Sequence, residues 1–340
     1  MMIRISGTVV AMYVALGLPS GLAGSMAVQS RTGPLEGELI EEVDLAHRGG
    51  WLSVVARVPT GDSLELVLDT GANADGFGLA TVHRLRLERV AAGRVFGAGD
   101  SERVWLVSGP PIRLGAAGSS PGLRVLLDDE FLTHPSGMRY DGLLGTGLLR
   151  RYDVLIDVPS RRLALYRSGT AAPSGGPVVP VREAVSFDPL DCDLIGLRVL
   201  INGRWVDAIL DSGAPDIIVN RAAAALADVP TGDELYLHSR GIGDEGSGGH
   251  RTRLASVEIG RTAFDGLDAI VSDLPIFTRL GQADRPAAII GVSLIERCAI
   301  LVEWRTRRLR LCESPVPSPV AGDRTAARPH DAFVPRGPDR

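Results

Sequence analysis

Two short stretches of this 340-residue chain carry the residue types needed for proton transfer, and they carry them in the same order: Asp69-Thr70-Gly71 and Asp211-Ser212-Gly213. Each supplies a carboxylate, a hydroxyl and a glycine at the end of an apolar stretch. One such tripeptide arises by chance on the order of 0.1–0.2 times in a chain of this length, and alone it reads as a strand running into a turn. Two copies in matching surroundings ask for more. If the two strand ends meet across a pseudo-twofold axis, Asp69 and Asp211 share one site. Carboxylates that close cannot both ionise easily, so they hold one proton between them and titrate as a pair. One can then take a proton from a water attacking a carbonyl carbon, while the protonated partner donates to the carbonyl oxygen. Gly71 and Gly213 permit a backbone approach that a Cβ would block, and the hydroxyls of Thr70 and Ser212 could bridge the axis.

Such a site needs two equivalent supports, and the chain is written twice. WLSVVARV, a PTGD turn and SLELVLDTGA predict a hairpin in the first half; LIGLRVL, Asn202-Gly203 and RWVDAILDSGA predict its counterpart, Asn-Gly between alternating apolar runs being a strong hairpin signal. A Gly-x-Gly turn follows in each, at Gly97-Ala98-Gly99 and Gly241-Ile242-Gly243, then an apolar-apolar-Gly at Leu143-Leu144-Gly145 and Ile289-Ile290-Gly291. Each half closes on a further hairpin, DVLIDVPSRRLAL and AILVEWRTRRLRL. LATVHRLRL and NRAAAALADV, one after each Asp-Thr/Ser-Gly strand, predict short packing helices. The expected organisation is a signal peptide over 1–27, an N-terminal arm over 28–50, a first lobe over 51–166, a linker and lead-in over 167–193, a second lobe over 194–312 and a Pro-rich disordered tail over 313–340.

At these residues the chain resembles the retropepsin-like aspartic peptidases, duplicated into one chain as in bacterial aspartyl-protease-family proteins. LVLDTGA, AILDSGA, DGLLG and IIG carry the resemblance, over roughly residues 50–166 and 194–312. It implies a mainly β fold of two homologous acid-protease-like closed β-barrel lobes related by a pseudo-twofold axis. It further implies a catalytic pair of Asp69 and Asp211, support from Thr70, Gly71, Ser212 and Gly213, and substrate-binding flaps at Gly97, Ala98, Gly99 and at Gly241, Ile242, Gly243. The implied reaction is endopeptidase hydrolysis of a polypeptide, with no cofactor and no metal. Ala72 and Ala214 stand where the pepsin-like relatives carry Ser or Thr, which removes a donor to the charged carboxylate and predicts a weakly acidic to near-neutral working pH. Asp141-Gly142 precedes the apolar pair in the first half and Ala287-Ala288 in the second, so the cleft is expected to be asymmetric.

Composition agrees with this class. Gly (41) and Pro (22) are abundant and aromatics scarce at 5%, which favours strands and tight turns. A net charge of −5 with scattered arginines excludes a basic field for nucleic acid. Arg4, the apolar stretch from Ile5 to Leu18 and Ser25-Met26-Ala27 follow the order of a secretory signal, which predicts export to a periplasm or the outside, with no membrane span in the mature chain. Glu36, Glu38, Glu41, Glu42 and Asp44 mark the arm as a solvated loop, an N-terminal strand or an inhibitory prosegment. Cys298 and Cys312 flank a hairpin and could be bridged in an oxidising compartment or remain thiols, while Cys192 stands apart. G-x-G-x-x-G at Gly241 to Gly246 is followed by strand-like sequence rather than a helix, which argues against a dinucleotide site. Gly61-Asp62-Ser63-Leu64 imitates a serine-esterase opening but sits in a hairpin turn, and the six His lack metal-ligand spacing. The expected state is a monomer, an intramolecular pseudo-dimer. The alternatives are a non-catalytic module that keeps the fold and binds peptide or cell wall, and a homodimer in which each half pairs with its like.

Overall fold

Asn202 and Gly203 both take positive φ, 48° and 75°, and close the hairpin between Ile195–Ile201 and Arg204–Leu210. That left-handed pair matches the twist of the flanking strands, the reason Asn-Gly favours this turn. Gly61, at φ 91°, serves the counterpart hairpin of Trp51–Arg57 and Ser63–Leu68. The alternation in the second strand of each hairpin is a burial pattern: Leu64, Leu66 and Leu68 lie in the core, as do Val206, Ala208 and Leu210. The computed structural model describes residues 13–14, 37–96, 101–170, 181–190, 193–230, 234–237 and 247–312.

In each half the Asp-bearing strand is joined to its neighbours in the same order and direction. Ser63–Leu68 runs parallel to Gly142–Leu144, which is antiparallel to Gly76–Gly78, itself parallel to Gly122–Leu127. Arg204–Leu210 runs parallel to Ala287–Ile290, which is antiparallel to Ile217–Val219, itself parallel to Thr262–Val271. The apolar-apolar-Gly segments are thus central strands buried on both faces, which is why they read as unbroken apolar runs.

The fold is mainly β and acid-protease-like, but closure differs between the halves. In the second, Ser247–Ile259 continues far enough to pair Val257 and Glu258 with Ile201 and Leu200, closing a six-stranded ring. In the first, the corresponding strand Ser101–Gly109 stops before Pro110-Pro111, and the chain resumes as Arg113–Leu114 to touch Trp51–Arg57 at Arg57. Proline has no N–H for a ladder, so the pair breaks the strand. The expectation of two closed barrels is corrected to one closed ring and one interrupted.

A sheet of six strands joins the halves. Its centre is the antiparallel pairing of Tyr152–Asp157 with Ile300–Glu303, where Leu155 faces Leu301, and the partner strands Arg162–Arg167 and Arg308–Cys312 flank it. Both edges come from segments outside the lobes read from sequence: Leu39–Asp44 in the arm and Val181–Ser186 in the lead-in. The arm is therefore an edge strand over those residues rather than a solvated loop. A disulfide joins Cys298 to Cys312 across the last hairpin. The two short helices form as Leu79–Arg84 and Arg221–Leu226, the second capped by Asn220, whose side chain accepts the Ala223 N–H at 2.8 Å. Of the expected signal peptide, only Tyr13–Val14 lie within the described residues, where they pair with Val95 and Phe96. The rest of it, Cys192 and the tail beyond Cys312 lie outside them. Among the described residues no helix is long and apolar enough to cross a membrane.

Candidate active site

Asp69 and Asp211 begin the turns that follow Ser63–Leu68 and Arg204–Leu210, and neither exposes any surface. Each backbone is tied to the central strand of its own half: the Asp69 N–H donates to the Leu144 carbonyl at 2.9 Å and the Asp211 N–H to the Ile290 carbonyl at 3.0 Å. The turns themselves are tied to each other. The Thr70 N–H donates to the Ser212 hydroxyl and the Ser212 N–H to the Thr70 hydroxyl, both at 2.9 Å. The same hydroxyls donate onward across the axis, Thr70 to the Leu210 carbonyl at 2.9 Å and Ser212 to the Leu68 carbonyl at 2.8 Å. All four residues of this bracing are buried or backbone, so no water competes with the bonds, and each fixes one half against the other.

The bracing brings the carboxylates face to face. A Cβ on Gly71 would stand 2.4 Å from Asp211 Cγ, and one on Gly213 would stand 2.6 Å from Asp69 Cγ. No side chain fits in either gap, so the glycines are required by the opposite half rather than by their own turns. Gly71 and Gly213 also donate their N–H to the Oδ1 atoms of Asp69 at 2.9 Å and Asp211 at 2.8 Å. The remaining oxygens, Oδ2 of Asp69 and Oδ2 of Asp211, are buried, and beyond the opposing carboxyl they have no hydrogen-bond partner among the described residues.

Burial of two acids together resists ionisation. The Asp69 carboxyl is held well above the usual carboxylate range, first by burial and then by the charge of Asp211. Burial pushes Asp211 up to about 7, against the pull of the Gly213 N–H and the contact with Asp69. Such a pair retains one proton where ordinary carboxylates hold none, and that proton sits beside a second acidic acceptor.

Asp69, Thr70, Gly71, Asp211, Ser212 and Gly213 thus form one cluster. Gly97, Ala98 and Gly99, with Gly241, Ile242 and Gly243, lie outside the described residues; the strands that lead to them, Arg89–Phe96 and Ser101–Gly109, Glu234–Leu237 and Ser247–Ile259, are antiparallel pairs. Sequence reasoning missed Asp75 and Arg124, a buried pair beside the Asp69 turn with Nε and Oδ2 3.4 Å apart. A signal was present: each is a charge within an apolar stretch, NADGFG and LRVLL, that otherwise reads as core.

Two buried carboxylates from two braced turns are thus held together in a mainly β, acid-protease-like frame. Residues 197–294 match the family model described as aspartyl protease, a segment that contains Asp211-Ser212-Gly213 and Ile289-Ile290-Gly291. Over this segment the chain is similar to the aspartyl protease family. No curated protein matches the chain.

Proposed function

We propose that the chain is an aspartic endopeptidase, internally duplicated into a single-chain pseudo-dimer, that hydrolyses peptide bonds with a water activated between Asp69 and Asp211. The observation that carries this reading is the facing pair of buried carboxylates whose Oδ2 atoms have no further partner among the described residues, while the Thr70 and Ser212 hydroxyls are both engaged in bracing. The ionised carboxylate takes a proton from the water as its oxygen bonds to the amide carbon, and the protonated carboxyl donates to the carbonyl oxygen. In the tetrahedral intermediate the C–N bond then breaks, the amine nitrogen takes the proton first removed from the water, and a hydroxyl of the intermediate returns its proton to the other carboxylate. The dyad ends with the single proton it began with.

The matching strand order of the two halves supports a duplication, although the family match falls on the second half alone. The Cys298–Cys312 disulfide, together with the charged, apolar, small-residue order of the first 27 residues, supports export to an oxidising compartment. The elevated affinity of the pair for its proton supports a weakly acidic to near-neutral working range. A peptide-binding module without catalysis is the second reading. Against it stands the cost of burying two acids that repel each other, for which binding alone has no use.

The test is cleavage of a diverse peptide pool from pH 3 to 8 by the protein and by its Asp211→Asn variant. Cleavage by the first and not the second is expected. Cleavage that persists in the variant would remove the shared-dyad mechanism, and silence from both folded proteins would favour the binding module.

A further inference from the structure

The Asp69 turn is anchored by a charged pair that has no counterpart at the same ladder positions of the Asp211 half. Arg124, on Gly122–Leu127, directs Nε toward Asp75 Oδ2 at 3.4 Å, while its terminal nitrogens donate to the Ser119 hydroxyl at 3.0 Å and to the carbonyls of Leu123 at 3.1 Å and Ser120 at 3.3 Å. Gly109 leaves room for the arginine stem, since a Cβ there would stand 2.4 Å from Arg124 Cγ. The other Asp75 oxygen, Oδ1, accepts the Gly145 N–H at 3.0 Å. Gly145 lies between the two residues that hold the Asp69 turn: the Leu144 carbonyl accepts from Asp69 at 2.9 Å, and the Thr146 N–H donates to the Ala72 carbonyl at 2.8 Å. Residues 144–146 therefore grip the segment 69–75 at three points, and Asp75 supplies the middle one.

The outer two grips recur in the second half, Asp211 to Ile290 at 3.0 Å and Val292 to Ala214 at 2.8 Å. The charges do not. Gly76 faces Val125 as Ile218 faces Ile270, so the places of Asp75 and Arg124 are taken by Ile217 and Ala269, both buried. Apolar residues fill such a space at least as stably as a buried ion pair does, and the second half uses them. A role in stability alone therefore leaves the charged version unexplained.

We propose that Asp75 and Arg124 are positioning residues that fix the turn bearing Asp69 and make the two members of the dyad unequal. The proposal rests on the two-aspartate reading above. Burial raises the Asp75 carboxyl against the charges of Arg124 and Arg150 and the Gly145 N–H, and the Asp69 carboxyl faces Asp211. An ionised Asp75 offsets the Arg124 charge. Replaced by Asn, it leaves that charge to favour ionised Asp69, which moves the acid limb of activity to lower pH.

Three variants test this. Asp75→Asn keeps an acceptor for Gly145 and removes a charge, Arg124→Lys keeps the charge and removes the planar fork, and Asp75→Ile/Arg124→Ala copies the second half. Asp75→Asn and the double variant are expected to lose about tenfold to a hundredfold in kcat. Their KM should stay within about twofold. Asp75→Asn should also show the lowered acid limb, and Arg124→Lys should recover much of kcat. A pair that is merely structural would lower Tm while kcat and the acid limb of the folded protein stay in place, and that result overturns the proposal. If the double variant does not fold, the two single variants decide by the same criteria. If the wild-type protein cleaves nothing, the endopeptidase reading has failed separately, and the pair is judged by the pH dependence of Tm, which follows the dyad without turnover. A titration moved to lower pH in Asp75→Asn then supports the pair, and an unmoved one overturns it.

Discussion

Asp69 and Asp211 are buried acids held together by hydrogen bonds made elsewhere, in Thr70 and Ser212, so the site stores a stability cost that its neighbours offset. The sign of that cost follows from their proton affinity. Both carboxyls bind a proton more tightly in the folded chain than in the unfolded one. Their contribution to stability is therefore fully present below the ordinary carboxylate range and is lost as pH rises through about 7, the folded value of Asp211. Asp211→Asn should accordingly raise Tm at neutral pH, by roughly 2–4 °C for each kcal/mol relieved. The gain should shrink towards pH 4, where the unfolded carboxyls also bind their protons. Thermal unfolding of both proteins across this range checks it; a variant that gains nothing at pH 7 would show that the pair is not strained. Residue identities at this scale were legible in the sequence because hydroxyl, carboxylate and glycine recur at one spacing. The pairing of Asp75 with Arg124 was not, since neither repeats in the other half and their contact joins segments distant in the chain.

At the scale of elements, the turns, hairpins and central strands follow from local rules, and the interruptions come from single residues. Asn202-Gly203 makes a tight hairpin and Pro110-Pro111 ends a strand that in the other half runs on to close the ring. Asn220 does more than cap Arg221–Leu226. Its side chain also accepts the Ala287 N–H at 3.0 Å and donates to the carbonyls of Gln282 at 3.1 Å and Arg285 at 2.6 Å, so one amide fastens the helix to the entry of the central strand. Asn220→Ala should cost about 2–3 kcal/mol, more than a surface cap, because buried donors and acceptors lose their partner. Urea unfolding measures it; a loss below about 0.5 kcal/mol would place these bonds among those that solvent replaces freely. The edge strands Leu39–Asp44 and Val181–Ser186 were hidden from sequence reading. Their charged or irregular composition resembles loop, and the strand that each pairs with, Arg162–Arg167 or Arg308–Cys312, lies far from it in the chain.

At the scale of the whole molecule, the halves are held by the braced turns and by the six-stranded sheet through Leu155 and Leu301, with the disulfide closing the final hairpin beside it. Cys298 and Cys312 enclose a separation of 14 residues, for which the loop-entropy argument gives about 3 kcal/mol. Reduction, or the Cys298→Ser/Cys312→Ser pair, should lower Tm by several degrees with cleavage at low temperature retained. Denaturation with and without reductant tests this, and an unchanged Tm would mean that the sheet alone sets the stability of that hairpin. What the sequence determined by itself was the set of parts: alternation and Asn-Gly specify hairpins, double burial specifies the apolar central runs, and a repeated Asp-Thr/Ser-Gly specifies which residues to watch. Each of these is local, decided by neighbours a few positions away. Only the tertiary structure decided that the two turns meet through reciprocal hydroxyl bonds, that one ring closes and the other breaks, and that the arm and the linker supply the outer strands. Those outcomes depend on pairings between segments distant in the chain, which no local pattern encodes.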